Sequence, residues 1–422
     1  MIEKLKKVFT YDFIHIIIST TFAKILMFAS SIFLPRFLSV DDFGIYTYSE
    51  NIFNYFLMIN GLGLSNSILK FCAKTSSKKE GEMYFTTCLK LGIYFDLVLM
   101  ILLVCFSSFY EFEFYKSKML LQWMAGLLPL SFLFESIQLF LRANLCNKKF
   151  SWLTSIYALL LLTFQIILIF IFSLDGVIYA KYTALIGSIL LGFLLLGKNN
   201  IVKLYKHKLV YEKIRELVKY AIIMLLGNFS SLIISLNDTQ LIGSILKNSH
   251  TIALYKVGTF PLQIMLFFTN AIIVYITPLF IKRANDKRWV KLQYKKIMKI
   301  NFVICLVIHI IMALFAKEFI LVIYKESYLE ALPYFYKFLV ISFILSVVRN
   351  IPGNLLAVLG YEKYNLIVNI LTVIIHFLLH TVLLNSYKES AIGIALLISY
   401  LFSGILLQIK INKYINRNSD IA

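Results

Sequence analysis

The chain has 422 residues, 60% of them hydrophobic and only 15% charged, with a mean hydropathy of +0.80. A soluble domain carries roughly a quarter charged residues, so this composition excludes one and points to a protein embedded in a bilayer. The formal net charge of +20 would suggest nucleic acid in a soluble chain, but here the basic residues must first be placed relative to a membrane.

Apolar runs of about 20 residues suit membrane helices. In chain order they predict twelve spans, at 13–34, 43–66, 83–110, 118–141, 151–173, 178–197, 217–236, 252–281, 300–323, 332–358, 365–385 and 391–410. The opening "MIEKLKKVF" plus its apolar run imitates a secretion signal, but the run is too long for a signal core and is read as the first span. Cys72, Cys88, Cys105, Cys146 and Cys305 show neither CxxC nor Cys/His ligand spacing, and are expected to pack.

Most of the 42 Lys and Arg fall at the termini and in the loops after even-numbered spans, most densely in "KRANDKRWVKLQYKKIMK" at 282–299. The positive-inside rule then puts both termini in the cytoplasm and makes these residues a topology signal beside anionic lipid, which removes nucleic acid as a partner. The alternate loops are too short for a folded external domain.

An internal repeat recurs at an offset of roughly 210 residues: "RANLCNKKFSWLTSIYALLLL" parallels "LLAVLGYEKYNLIVNILTVII", aligning Cys146 with Gly360 and Lys149 with Lys363. More weakly, "FGIYTYSENIF" parallels "TIALYKVGTFP". An even number of spans per half gives both halves the same orientation, the arrangement of parallel-repeat transporters. The expected division is a first lobe at 1–197, a basic linker at 198–216, a second lobe at 217–410 and a cytoplasmic tail at 411–422.

Polar residues recur on single helical faces. Span one carries Thr20, Lys24, Met27 and Ser31, and span two Glu50, Asn54 and Gly61. Span seven carries Asn228, Ser231, Ser235 and Asp238, and span eight Lys256, Gln263, Asn270 and Thr277. Further stripes are Ser342, Ser346 and Arg349, then Asn365, Asn369, Thr372, His376 and His380. Such stripes are either interhelical hydrogen-bond glue or the lining of a path. Charges at Lys24, Glu50, Asp96, Glu135, Lys256 and Arg349 each cost at least about 2.5 kcal/mol at mid-bilayer and so need a partner or an aqueous cavity. Lys24 lies about 15 Å from either end of its span, beyond the reach of snorkelling. It is expected either to meet substrate or to pair with Glu50, Asp96 or Glu135.

A catalytic reading finds little. Asp41 and Asp42 read as solvated loop acids and not a metal pair; His376 and His380 have ligand spacing but no third ligand; "GLGLS" follows a helix, not a strand. No catalytic residue, metal or cofactor is expected.

The stretch "FLPRFLSVDDFGIYTYSENIFNYFLMINGLGLSNSILKFCAK" resembles the opening of the Wzx-like O-antigen flippases of the multidrug/oligosaccharidyl-lipid/polysaccharide (MOP) superfamily, through Arg36, Leu38, Asp42, Phe43, Gly44, Gly63, Leu64 and Lys70. Asp238, Gly243 and Tyr255 match in the second half, with Ala253 where a glycine is usual. The resemblance implies an all-α membrane protein of about twelve helices, in two six-helix lobes around a central cavity. It implies outward movement of an undecaprenyl-diphosphate-linked oligosaccharide, with membrane lipid and other polysaccharide assembly proteins as partners.

Cations suit the diphosphate, and amides and hydroxyls suit the sugars. The substrate-binding candidates are therefore Lys24, Glu50, Asn54, Asn228, Ser231, Asp238, Lys256, Gln263, Asn270 and Arg349; Asp96 and Glu50 are candidates for ion coupling. The rival functions are an ion-coupled multidrug exporter and a membrane glycosyltransferase or polysaccharide polymerase.

Overall fold

The computed structural model describes residues 21–75, 77–197, 211–284, 286–387 and 390–416. Among them the regular structure is helical throughout. The chain forms two compact units, Met1–Phe229 and Ser230–Ala422. Of the expected linker, residues 198–210 lie outside the described ones, and the rest begins a helix.

In the first unit, α1 (21–37) leads into α2 (Val40–Met58). The Ser39 hydroxyl caps α2 by accepting the Asp42 N–H at 3.1 Å, and Asp41 and Asp42 fill the first turn, where the helix dipole favours acids. Asp42 also meets Lys116 Nζ at 2.8 Å. These two acids are thus helix-start residues, not the loop acids the sequence suggests.

After α2 the chain makes a tight turn at Asn60–Gly63 and continues as α3 (Leu64–Lys74), bent by 41°. Gly61, Leu62 and Gly63 all have positive φ. Glycine is required at two of these positions on space as well: a Cβ at Gly61 would lie 2.1 Å from the Phe132 ring, and one at Gly63 2.8 Å from the Ala221 carbonyl oxygen. A second bent pair, α5 (Tyr115–Ala125) and α6 (Leu127–Ala143), follows α4 (Lys78–Phe109). There the Tyr182 hydroxyl occupies the space beside Gly126 and donates to the Trp123 carbonyl at 2.7 Å.

Helix α7 (Asn147–Leu196) has 50 residues. Straight, it would run about 75 Å, far more than a bilayer core. It reverses at Ser173 (φ 49°, ψ −124°), and Lys149 Nζ reaches the Leu195 carbonyl at 2.7 Å, so its two ends meet. The expected boundary between spans five and six lies at this reversal.

Helix α8 (Tyr211–Leu246) contains the division between the units. The second unit continues with α9 (Ser249–Gly258), α10 (Phe260–Lys282), α11 (Lys287–Leu314), α12 (Ala316–Ile323), a 3-10 turn, α13 (Leu332–Ile344), a π-helical turn (Leu345–Asn350), α14 (Ile351–Val358), α15 (Glu362–Tyr387) and α16 (Ser390–Asn416). Ile351, Leu355, Leu356, Val368, Leu407 and Ile411 form the centre of its core. In both units large apolar side chains such as Leu102, Phe170, Leu190, Leu314, Leu378 and Val382 stand exposed, as a hydrocarbon solvent allows.

Among the described residues seven helices are long and apolar enough to cross a membrane, or nine if each bent pair is one span. That is fewer than the expected twelve, partly because the α7 hairpin counts once and α1 is described only from residue 21.

The repeat is visible as the same turn in both units. Leu145 and Gly360 both have positive φ, and the following amides, of Cys146 and Tyr361, close onto Leu141 and Leu356 at 2.9 Å each. The equivalence therefore pairs Leu145 with Gly360, one residue out of register with the sequence alignment. All five cysteines are free thiols; Cys72, Cys88 and Cys305 are buried, and Cys105 is exposed.

Candidate functional site

In the first unit, Glu50 and Asp96 each have a partner, whereas Lys24 is exposed. Glu50 Oε1 receives Lys181 Nζ at 2.6 Å and the Tyr46 hydroxyl at 2.5 Å, with Lys181 also 5.2 Å from the Tyr46 ring centre. Lys181, from the second arm of the α7 hairpin, is thus the counter-charge of Glu50. Asp96 is fully buried, and its Oδ1 accepts the Gly61 N–H at 2.7 Å. A carboxylate from α4 thus caps the break between α2 and α3, satisfying a donor that a continuous helix would have paired. Asn60 is fixed beside it by donating to the Leu128 carbonyl at 3.3 Å.

Lys24 has an exposed side chain on α1, whereas Ser30 on the same helix is buried and bonded to Gln165. Among the described residues it has no ion pair, so neither Glu50 nor Asp96 partners it in place of Lys181 and Gly61. Asn54 is half-buried.

In the second unit, Asp238 is buried on α8 and accepts a hydrogen bond from His376 Nε2 of α15 at 2.7 Å. The His376 ring stacks on that of His380 with centres 6.3 Å apart. Among the described residues, His376 Nδ1 and His380 Nε2 are buried without a partner. Arg349 lies in the π-helical turn, a local widening common at functional positions. Its Nε donates to Ser403 Oγ at 3.0 Å and its Nη2 to Asn369 Oδ1 at 2.9 Å, while the guanidinium sits 5.3 Å from the Tyr400 ring.

Lys256 is half-buried at the end of α9, and among the described residues it has no ion pair. Gln263 donates to the Thr259 hydroxyl at 3.1 Å across the break between α9 and α10, whereas Asn270 is exposed. The side chains of Asn228 and Ser231 lie outside the described residues. The span-ten serines join helices: Ser342 Oγ lies 3.0 Å from His309 Nε2, and the Ser346 carbonyl accepts from Asn301 at 3.1 Å.

The structure thus brings together Asp238 with His376, Arg349 with Asn369, and Glu50 with Lys181. Lys181 and His376 are the partners that sequence reasoning did not assign. Their only signal was a polar group on a helical face, which names no neighbour. The net chemistry is that Glu50, Asp96 and Asp238 each receive a donor within their own unit, while Lys24 and Lys256 are cations with no such partner among the described residues. Two lysines without a carboxylate partner suit an anionic ligand better than a cationic one.

A family described as polysaccharide biosynthesis protein matches residues 33–333. Among solved structures, the chain is similar to an inward-facing multidrug resistance MATE transporter of the MOP superfamily (TM-score 0.73, 13% identity, 94% of this chain and 96% of that one). It is also similar to a MOP superfamily transporter from Pyrococcus furiosus described by the reverse polarity of its binding pocket (TM-score 0.64, 14% identity, 97% and 96%). A third is an outward-facing MATE transporter (TM-score 0.61, 15% identity, 99% and 97%). At such identities the likeness is one of fold. No curated protein matches the sequence.

Proposed function

Because the chain belongs to the polysaccharide biosynthesis protein family and has the MATE-like fold of MOP transporters, we propose that it is a flippase for an undecaprenyl-diphosphate-linked oligosaccharide. It moves this unit outward across the cell inner membrane by alternating access, with both termini in the cytoplasm, and supplies O-antigen or another surface polysaccharide. No bond is made or broken.

The observation that carries this reading is the charge balance inside the lobes. Two acids that would attract a cationic drug are occupied, Glu50 by Lys181 and Asp238 by His376, while Lys24 and Lys256 have no carboxylate partner among the described residues. Lys24 is assigned to the diphosphate, for which an ammonium in a low-dielectric setting is a strong partner once its own desolvation is offset. Asn54, Gln263, Asn270 and the other stripe amides are assigned to sugar hydroxyls. Asp96 and Glu50 stay the candidates for ion coupling, and other polysaccharide assembly proteins are the expected partners.

Depletion of the protein tests the reading. A flippase predicts intact, unpolymerised lipid-linked units accumulating on the inner leaflet, together with loss of surface polysaccharide. Accumulation on the outer leaflet would mean a polymerase instead, and no accumulation on either leaflet would mean a drug exporter.

A further inference from the structure

In the second unit a groove of about 310 Å³ lies between α13 and α16. Lys337, Val340 and Ile341 line one side; Ser390, Gly393 and Leu397 line the other. These positions are spaced i, i+3, i+4 on α13 and i, i+3, i+7 on α16, so the groove runs along one face of both. It starts at a helix end: α16 begins at Ser390, and Lys337 lies about 7 Å along α13 from Leu332.

Two observations mark its mouth. Lys337 Nζ donates to Ser390 Oγ at 2.9 Å and sits 5.6 Å from the Tyr334 ring centre. Among the described residues no carboxylate pairs with it. Behind this cation the lining is hydrocarbon. Ile341 is buried at the base, and a Cβ at Gly393 would make only ordinary contact with its Cδ1 at 3.8 Å, so it takes a longer side chain than alanine to fill the groove.

Water gains little in a cleft without polar partners. A lysine that merely snorkelled would not need an open apolar channel behind it. A cation and a hydroxyl at a helix end, continued by an apolar channel, are instead complementary to an amphiphile with an anionic head. We propose that this groove is a binding site for an anionic membrane phospholipid, with the phosphate on Lys337 and Ser390 and one acyl chain along Val340, Ile341 and Leu397. The site lies within one unit and does not depend on what the protein transports.

The test uses the full chain purified in neutral detergent, titrated with phosphatidylglycerol or with phosphatidylcholine of the same acyl chains. The melting temperature is followed, and bound lipid is counted by native mass spectrometry. Phosphatidylglycerol is expected to stabilise more and to be retained. Lys337→Gln, at an exposed position, should weaken its retention about fivefold and leave phosphatidylcholine unaffected. Gly393→Leu should lower retention of both lipids by filling the channel, whereas Gly393→Ala, whose Cβ fits, should behave like the parent. Equal responses of the parent to both lipids, or unchanged phosphatidylglycerol retention in Lys337→Gln, would overturn the site. Displacement of phosphatidylglycerol by an equal concentration of a short polyprenyl phosphate would reassign the groove to the transported lipid and overturn the phospholipid assignment.

Discussion

Lys181 Nζ lies 2.6 Å from Glu50 Oε1, although the two residues are 131 positions apart. The pair joins α2 to the second arm of the α7 hairpin and decides which charges in this lobe are already neutralised.

Breaking that pair leaves one charge without its partner. Lys181→Ala or Glu50→Ala is expected to cost about 2 kcal/mol, less than a fully buried pair would because both side chains are partly exposed. The exchange Glu50→Lys with Lys181→Glu should recover at least half of the loss in thermal unfolding. Strict additivity of the two single changes would show that the contact carries no coupling.

Phe132 is the shared neighbour of two glycines, Gly92 on α4 and Gly61 in the turn between α2 and α3. A Cβ at Gly92 or at Gly61 would come to 2.1 Å from its ring. Gly92→Ala should cost about 1–3 kcal/mol by overpacking, and Phe132→Leu in the same chain should restore most of it. Gly61→Ala should be rescued less, since its φ of 56° adds about 1 kcal/mol of backbone strain that no change at Phe132 relieves. Equal rescue of both, read by melting temperature, would count against the left-handed turn.

The Asp238 and His376 pair separates stability from function. His376→Leu leaves a buried carboxylate without its donor and should destabilise by about 3 kcal/mol. Replacing both residues by Leu should return stability to within about 1 kcal/mol of the parent, because a paired buried ion contributes little net energy. Export by this double variant should remain impaired at normal membrane abundance. Normal export would make the pair purely structural.

Charge, more than shape, should govern Lys24. Lys24→Arg should keep export, Lys24→Ala should weaken it, and Lys24→Glu should abolish it while the protein reaches the membrane in normal amount. Parent-like polysaccharide output from Lys24→Glu would refute the diphosphate assignment. Restoration of that variant by an acid-to-Lys change at Glu50, Asp96 or Glu135 would point to an ion pair formed in another state of the protein.

Orientation is checked with Arg288→Cys in a background whose five native cysteines are Ser. An impermeant thiol reagent should leave this site unlabelled in intact cells and label it after permeabilisation. Labelling in intact cells would invert the topology.

Much of this architecture is written in local pattern. Apolar runs announce membrane helices, because a backbone in hydrocarbon must satisfy its hydrogen bonds internally. The repeated motif announces two related halves, since like sequences make like turns, here at Leu145 and Gly360. The polar stripes name the faces on which Glu50, Asp238, Arg349 and Asn369 stand. Helical periodicity says which face a residue occupies but nothing of which helix lies opposite. The partners Lys181 for Glu50, the Gly61 amide for Asp96 and His376 for Asp238 therefore appear only in the tertiary structure. The place of the reversal at Ser173 is legible as the gap between the apolar runs 151–173 and 178–197, but its conformation is not, because Ser173 adopts a positive φ with no proline or glycine of its own to mark it. The close approach of the Leu168 carbonyl to Gly176, where a Cβ would lie at 2.1 Å, is what allows the chain to double back there. Hydropathy is a property of each segment taken alone, whereas charge pairing and close approach are properties of two segments at once, and only packing brings the second segment into place.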